Sequence, residues 1–425
     1  MATRRHPWWI PPFLGRVPEA LGDGTLRLLG AVALALLFEE YDNSILTSAL
    51  KHITRDLGVA EHELPLYLAL IRSGALPAFV LIPFADRIGR RPVFIGSVVA
   101  MGFVTFATAL SATPLQFVLL QALARTSFIA CSAVAFVIVT EELPADHRGW
   151  GIGMLAALGA VGNGLGAAVF SQIDRLPFGW RALYALGAAP VLLLPFFLRR
   201  VSETRRFADH SADHARRGAG PGFLGSVTQL FADRPLRALG VAAAGFLASI
   251  ATFPSAQFTG YFTQVKLGWA PHQYTWMVIA GGAVGIIGNI VAGRLGDGIG
   301  RRGVGCALFA CVPLASFGFY RGGSGTIVVA CWIAMVFCAM GGRVILRALA
   351  TELFPTSQRG AASGMLSVLD TLGAVTGLLV VYMHDLRDVD ELATVIPVVS
   401  SVIWLAALAL LALPETRRLE LEEIA

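Results

Sequence analysis

Residues 38–50 read FEEYDNSILTSAL and continue an apolar run that begins at Leu28. Three carboxylates, Glu39, Glu40 and Asp42, sit where the surrounding pattern is oil-like. Each charge at the centre of a bilayer costs about 2.5–3.5 kcal/mol on insertion scales, so such acids must face protein or water. At 100° per residue Glu39, Asp42 and Asn43 fall on one stripe of about 100°, with Glu40 about 60° beyond Asn43. Two counter-charges stand at matching depth in later apolar segments, Arg125 and Arg72. Acids held near an arginine can take up and release a proton. The same groups can also form a static ion network that pins helices together.

A second set of intramembrane charges lies in GGRVILRALATELFP, where Arg343 and Arg347 are four residues apart on one helical face. Asp370, in the following apolar segment, is their expected partner. Arg347 can alternatively snorkel to the surface. Glu40, Asn43, Arg72, Arg343, Arg347 and Asp370 are therefore read as lining a substrate cavity, and Glu39, Asp42 and Arg125 as the proton-coupling group. Tyr41, Gln121, Asn163, Asn289, Tyr261 and Trp332 are further lining candidates.

The elements that must carry these residues follow from composition. The 425 residues are 56% hydrophobic and 14% charged, against about 25% charged in soluble domains. Twelve apolar segments of spanning length recur, near 28–50, 64–84, 93–111, 115–140, 150–173, 180–198, 236–263, 272–293, 303–320, 326–351, 361–383 and 392–413. Of the 33 Lys and Arg, 22 fall in segments that lie on the inside if the N-terminus does. The positive-inside rule then places both termini in the cytoplasm. The basic balance belongs to these loops and gives no reason to expect nucleic acid as a partner. The five cysteines (131, 306, 311, 331 and 338) lie in apolar stretches without metal-ligand spacing and read as packing residues. No metal or cofactor is expected. The first 27 residues lack a signal-peptide pattern and read as an interfacial arm or a disordered tail.

The two halves repeat. FADRIGRRPV and GRLGDGIGRRGV place Asp86, Arg90 and Arg91 against Asp297, Arg301 and Arg302, at an offset of 211. EELPADHRGWGIGML and TELFPTSQRGAASGML place Arg148 against Arg359 at the same offset, and SETRR and PETRR repeat at 212. Two six-helix bundles of one topology follow. The expected organisation is an arm over 1–27, a first bundle over 28–198, a central loop over 199–235, a second bundle over 236–413 and a tail over 414–425. Asp86, Arg90, Arg91, Arg148, Asp297, Arg301, Arg302 and Arg359 are read as a gating latch at one face. Topology-setting charge is the competing account.

These loops resemble the G-x-L-x-D-x-x-G-R-R signature of the major facilitator superfamily. EELPADHRG, ELFPTSQRG and PETRRLELEEI are similar to elements of its sugar-porter and metabolite:proton symporter branches. The resemblance implies an all-α membrane protein, twelve helices in two parallel-repeat bundles around a central cavity, working by alternating access. It implies that Asp42 and Arg125 hold the positions of a first-helix proton acceptor and its fourth-helix arginine. Ile82 departs from the leading glycine of the signature, which Gly293 keeps, so helix packing is expected to be looser at Ile82. The seventh segment lacks the paired glutamines of sugar porters.

The expected activity is proton-coupled symport of a small polar metabolite by a monomer in a bacterial inner membrane, an organic acid being favoured. A sugar or polyol porter and a non-transporting sensor on the same fold are the alternatives. An enzyme is not expected, and no P-loop is present to drive an ATP-dependent pump.

Overall fold

The computed structural model describes residues 9–10, 17–18, 21–204, 223–355 and 358–417. These are helical nearly throughout. In chain order α1 is Asp23–Ser48, α2 Leu50–Leu57, α3 Leu64–Ser73, α4 Ala78–Ile88, α5 Arg90–Ala109, α6 Pro114–Glu142, α7 Arg148–Phe170, α8 Trp180–Gly187, α9 Ala189–Leu192 and α10 Leu194–Arg200. After the central loop come α11 Phe223–Asp233, α12 Pro235–Gln257, α13 Thr259–Val265, α14 Pro271–Ile299, α15 Arg301–Arg321, α16 Gly325–Glu352, α17 Arg359–Tyr382, α18 Leu392–Ser401 and α19 Ile403–Leu411. Eleven helical stretches among the described residues are long and apolar enough to cross a membrane. The twelfth span is α1, whose three mid-helix acids break the apolar pattern. With no water in the hydrocarbon to satisfy exposed backbone groups, continuous helices are the form such segments must take.

Several spans are interrupted at identifiable places. The second breaks into α3 and α4 over Gly74–Pro77, because proline removes a donor and disfavours helix in the residue before it. The carbonyl of Gly74 accepts from Thr126 Oγ1 at 2.5 Å. The sixth breaks into α8, α9 and α10 beside Pro190 and Pro195, and the seventh into α12 and α13 just after Pro254.

The chain divides into two compact units, residues 1–53 with 74–218 and residues 54–73 with 219–425. In the first, α1 packs along α7 and α5 along α6; in the second, α12 packs along α17, and α15 and α14 along α16. Small residues make these approaches close, as expected where oil cannot drive helices together. A Cβ at Gly162 would stand 2.1 Å from the Leu37 carbonyl oxygen, and one at Gly373 would stand 2.3 Å from that of Phe246. Gly166 against Tyr41 and Gly377 against Ile250 repeat the contact one turn on. A Cβ at Gly293 would meet nothing within 4 Å. The leading glycine of the loop signature therefore serves no close packing, and the contrast expected with Ile82 is absent.

Segment 54–73, which the sequence reading groups with the first bundle, has its contacts in the second unit, where α3 packs on α17. Near the N-terminus Trp9 packs on α1, its ring 3.2 Å from where a Cβ of Gly30 would stand, and Ile10 is buried. That much of the arm belongs to the first unit's core. Cys311 is exposed rather than packed, because it shares a face of α15 with the exposed Leu314 and Phe317.

Candidate functional site

Within the first unit, α1, α5 and α6 converge on the acidic stretch. Glu39 and Asp42 are 8% and 3% exposed, while Glu40 and Asn43 are half-buried. Helix α6 presents Gln121, Arg125 and Ser132 at spacings of four and seven, one face of a 3.6-residue helix. Arg125 Nη1 donates to Asn43 Oδ1 at 3.1 Å, and its Nε is buried with no hydrogen-bond partner. The guanidinium acts through space on Glu39, Glu40 and Asp42. Asp42 Oδ1 accepts from Thr105 Oγ1 of α5 at 3.4 Å. Gln121 Nε2 donates to Thr108 Oγ1 at 3.3 Å, and Tyr41 donates to the Leu183 carbonyl at 3.1 Å. The site thus gathers three acids around one arginine, with an amide and hydroxyls as direct partners. Asn43, adjacent to the acids on the stripe, supplies the arginine's hydrogen bond.

The second unit builds a different site on one face of α12. Ser249, Thr252, Phe253 and Gln257 span about 140° of that helix. Ser249 Oγ donates to Asp370 Oδ1 of α17 at 2.8 Å. Arg343 Nη2 of α16 donates to Thr252 Oγ1 at 3.2 Å. The Arg72 guanidinium of α3 lies 4.4 Å above the Phe253 ring. Arg347 is exposed, and Asp370 and Arg343 are the charged groups that act on it. Three helices therefore bring Asp370, Arg343 and Arg72 to one face of a fourth. The sequence singled out the charged residues; their α12 partners Ser249, Thr252 and Phe253 lack charge and gave no such signal.

The loop motifs occupy one end of each unit and make matching networks. Gly89 and Gly300 precede α5 and α15 with φ of 105° and 132°, a region that favours glycine. Neither has a side chain to cap the helix that follows. The caps come from residues more than 110 positions further along the chain. Glu203 Oε1 accepts from Arg90 N at 2.9 Å, and Glu415 Oε1 accepts from Arg301 N at 2.9 Å. A carboxylate is well placed there, against unpaired N–H groups and the positive end of the helix dipole. Arg90 pairs with Glu141 at 2.9 Å, and Arg301 pairs with Glu352 and, at 3.0 Å, with Asp297. Arg91 Nη2 donates to Leu198 O at 3.1 Å, and Arg302 Nη1 to Leu411 O at 3.2 Å. Arg148 Nε donates to Leu143 O at 3.3 Å and Arg359 Nε to Phe354 O at 3.4 Å, so these two tie down their own loops. The side chain of Asp86 lies outside the described residues. Glu141, Glu203, Glu352 and Glu415 were missing from the latch read from sequence, although EELP, SETRR, ELFP and PETRR had marked their repeats.

Twelve helices of spanning length in two repeated bundles, with buried charge at mid-span, make a multi-pass membrane protein. The chain belongs to the Major Facilitator Superfamily, whose family model matches residues 32–377 and again 241–424. It is similar to the gallate transporter of Pseudomonas putida, 26% identical over 82% of this chain and 82% of that protein. A putative niacin/nicotinamide transporter of Bacillus subtilis is 23% identical, covering 93% of this chain and 98% of the relative. Among solved structures, the inward open xylose transporter XylE from E. coli superposes with a TM-score of 0.73 at 19% identity, over 94% of this chain and 98% of that one. The last likeness is one of fold.

Proposed function

We propose that the chain is a proton-coupled transporter of small organic acids. The observation that carries this reading is the burial of Glu39 and Asp42 at mid-span around a single arginine. Three acids and one guanidinium cannot all stay charged cheaply in a membrane. Proton uptake neutralises the excess, and the first unit becomes the coupling site, with Asp42 as carrier and Arg125 as its counter-charge. Arg72, Arg343, Arg347 and Asp370 of the second unit line the substrate cavity, whose arginines offer planar donor forks that suit a carboxylate. The named activities of the relatives, transport of gallate, niacin and cis,cis-muconate, support an acid. The matching carboxylate–arginine networks act as latches that open and close during alternating access. The segments 28–198 without 54–73, and 236–413 with 54–73, serve as the two moving bundles, with both termini on the cytoplasmic side of a bacterial inner membrane and a monomer as the working unit.

The test is uptake by vesicles holding the reconstituted chain, with imposed pH gradients and a panel of acids, sugars and polyols. An acid should accumulate when the outside is acidified and should stop accumulating when a protonophore collapses the gradient. Accumulation of a sugar alone, or of nothing under any gradient, overturns the reading. A sugar or polyol porter is the second reading, favoured by the fold shared with a D-xylose–proton symporter.

A further inference from the structure

Several buried polar atoms of the second unit have no hydrogen-bond partner, and two of them, on Arg72 and Gln257, belong to side chains at Phe253 and one turn beyond it on α12. A guanidinium is charged at every relevant pH and presents five donors in one plane. Stacking over Phe253 satisfies its face but not its edge. Its Nε is buried and has no hydrogen-bond partner. Gln257, one turn along α12 from Phe253, is 6% exposed, and its Nε2 is likewise buried without a partner. Buried donors are satisfied in the great majority of cases, so one on α12 and one on α3 held over the same face of α12 point to an acceptor that is not part of the fold.

The surroundings order this face by charge. One further turn along, Tyr261 donates to Glu61 Oε1 at 2.9 Å. The series Phe253, Gln257, Tyr261 therefore carries a cation at one end, a neutral donor in the middle and an anion at the other. α12 gives way to α13 between Gln257 and Thr259, just after Pro254, which has no N–H to offer the helix.

We propose that Arg72, Phe253 and Gln257 form a binding subsite for a monocarboxylate that carries a neutral hydrogen-bond acceptor about one helical turn, ~5–6 Å, from its carboxylate. The proposal rests on the acid-transport reading above and specifies its substrate. The carboxylate lies along the edge of the Arg72 guanidinium, which sits 4.4 Å over the Phe253 ring. Gln257 Nε2 donates to the second acceptor. Glu61, beyond Gln257, repels a second negative charge at that end and so disfavours a rigid dicarboxylate.

Three flat acids separate these contacts. Benzoate has the carboxylate alone, isonicotinate adds a ring nitrogen opposite it, and terephthalate replaces that nitrogen by a second carboxylate. Binding of each to the purified full-length chain is measured by calorimetry. Isonicotinate should bind about fivefold or more tightly than benzoate, and terephthalate more weakly than either. Gln257→Leu should abolish the preference for isonicotinate and leave benzoate unchanged. Arg72→Gln should weaken both monocarboxylates about tenfold, with Arg72→Lys recovering part of the loss as proof that the chain is folded. Equal binding by wild type and both variants, or no binding of any of the three acids, overturns the subsite. Proton-driven uptake of an acid that survives Arg72→Gln unchanged would overturn the subsite alone. Absence of any proton-driven acid uptake would sink the parent reading.

Discussion

The two repeated units agree at their motif-bearing ends and disagree at mid-span. At the ends, Arg90 and Glu141 have chemical equals 211 residues on in Arg301 and Glu352, and within the packed helix faces Gly162 and Gly166 have theirs in Gly373 and Gly377. Each member makes the matching contact. At mid-span the glycine contacts set α1 against α12 at an offset of 209, which carries Glu39 to Ala248 and Asp42 to Ala251, while the offset of 211 carries Arg125 to Val336. In reverse it carries Arg343 to Ser132, Arg347 to Phe136 and Asp370 to Gly159. The first unit holds an acidic centre and the second a largely cationic one. Packing and capping are demands that any copy of the bundle must meet, so they persist. Mid-span charge is expensive in a membrane and persists only where it has a use.

The agreement at the ends is itself incomplete. In the first unit Thr204 Oγ1 donates to Glu141 Oε2 at 2.6 Å, so both oxygens of that carboxylate are engaged. The equivalent Thr416 Oγ1 and Glu352 Oε2 are both buried without a hydrogen-bond partner. One network is closed and its copy is open by one bond.

These contrasts can be broken one at a time. Asp42→Asn should have the largest effect, abolishing pH-driven accumulation in vesicles while sparing exchange of labelled for unlabelled substrate. Glu39→Gln should reduce accumulation less, and a mutant Asp42→Asn that still concentrates substrate removes Asp42 as carrier. On the cationic side, Arg343→Gln should raise the half-saturation concentration for an acid about tenfold or more, since hydrogen bonds to charged groups contribute about 1.5–3 kcal/mol. Expression should be intact, and an unchanged half-saturation concentration would make Arg343 a structural residue only.

Smaller effects test the closed and open ends. Glu141→Gln should lower the thermal midpoint of the detergent-purified chain more than Glu352→Gln does, because Glu141 has both oxygens bonded to partners. Equal shifts would show the two networks to be equivalent. Thr204→Ala should cost about 1.5–3 kcal/mol, the usual contribution of a hydrogen bond to a charged group. Thr416→Ala, at a hydroxyl with no partner, should be neutral or slightly stabilising in the same unfolding measurement.

Much of the fold is legible in the residues because the bilayer allows so little else. A span of apolar residues must become a helix, so the segments near 93–111, 115–140 and 326–351 appear as α5, α6 and α16 with soft edges. The repeat is legible because arginines, glycines and acids at loop ends cannot drift without losing a cap or a pair. Side-chain partners are another matter. Arg125 could be matched in depth to Asp42 from the sequence, but its hydrogen bond goes to Asn43. Arg72 could be read as a counter-charge to the α1 acids, yet it stacks on Phe253 in the other unit.

The number of spans, the duplication and the residues that cannot face lipid are written in the order of the amino acids. Those follow from hydropathy and charge, which act on each segment separately. Folding in three dimensions sets Glu203 and Glu415 as the caps of α5 and α15, gathers Asp370, Arg343 and Arg72 at α12, and packs residues 54–73 with the second unit. Those outcomes depend on the rotation of each helix about its axis and on where a span breaks. Both are set by packing between segments far apart in the chain, a term that no single stretch of residues contains.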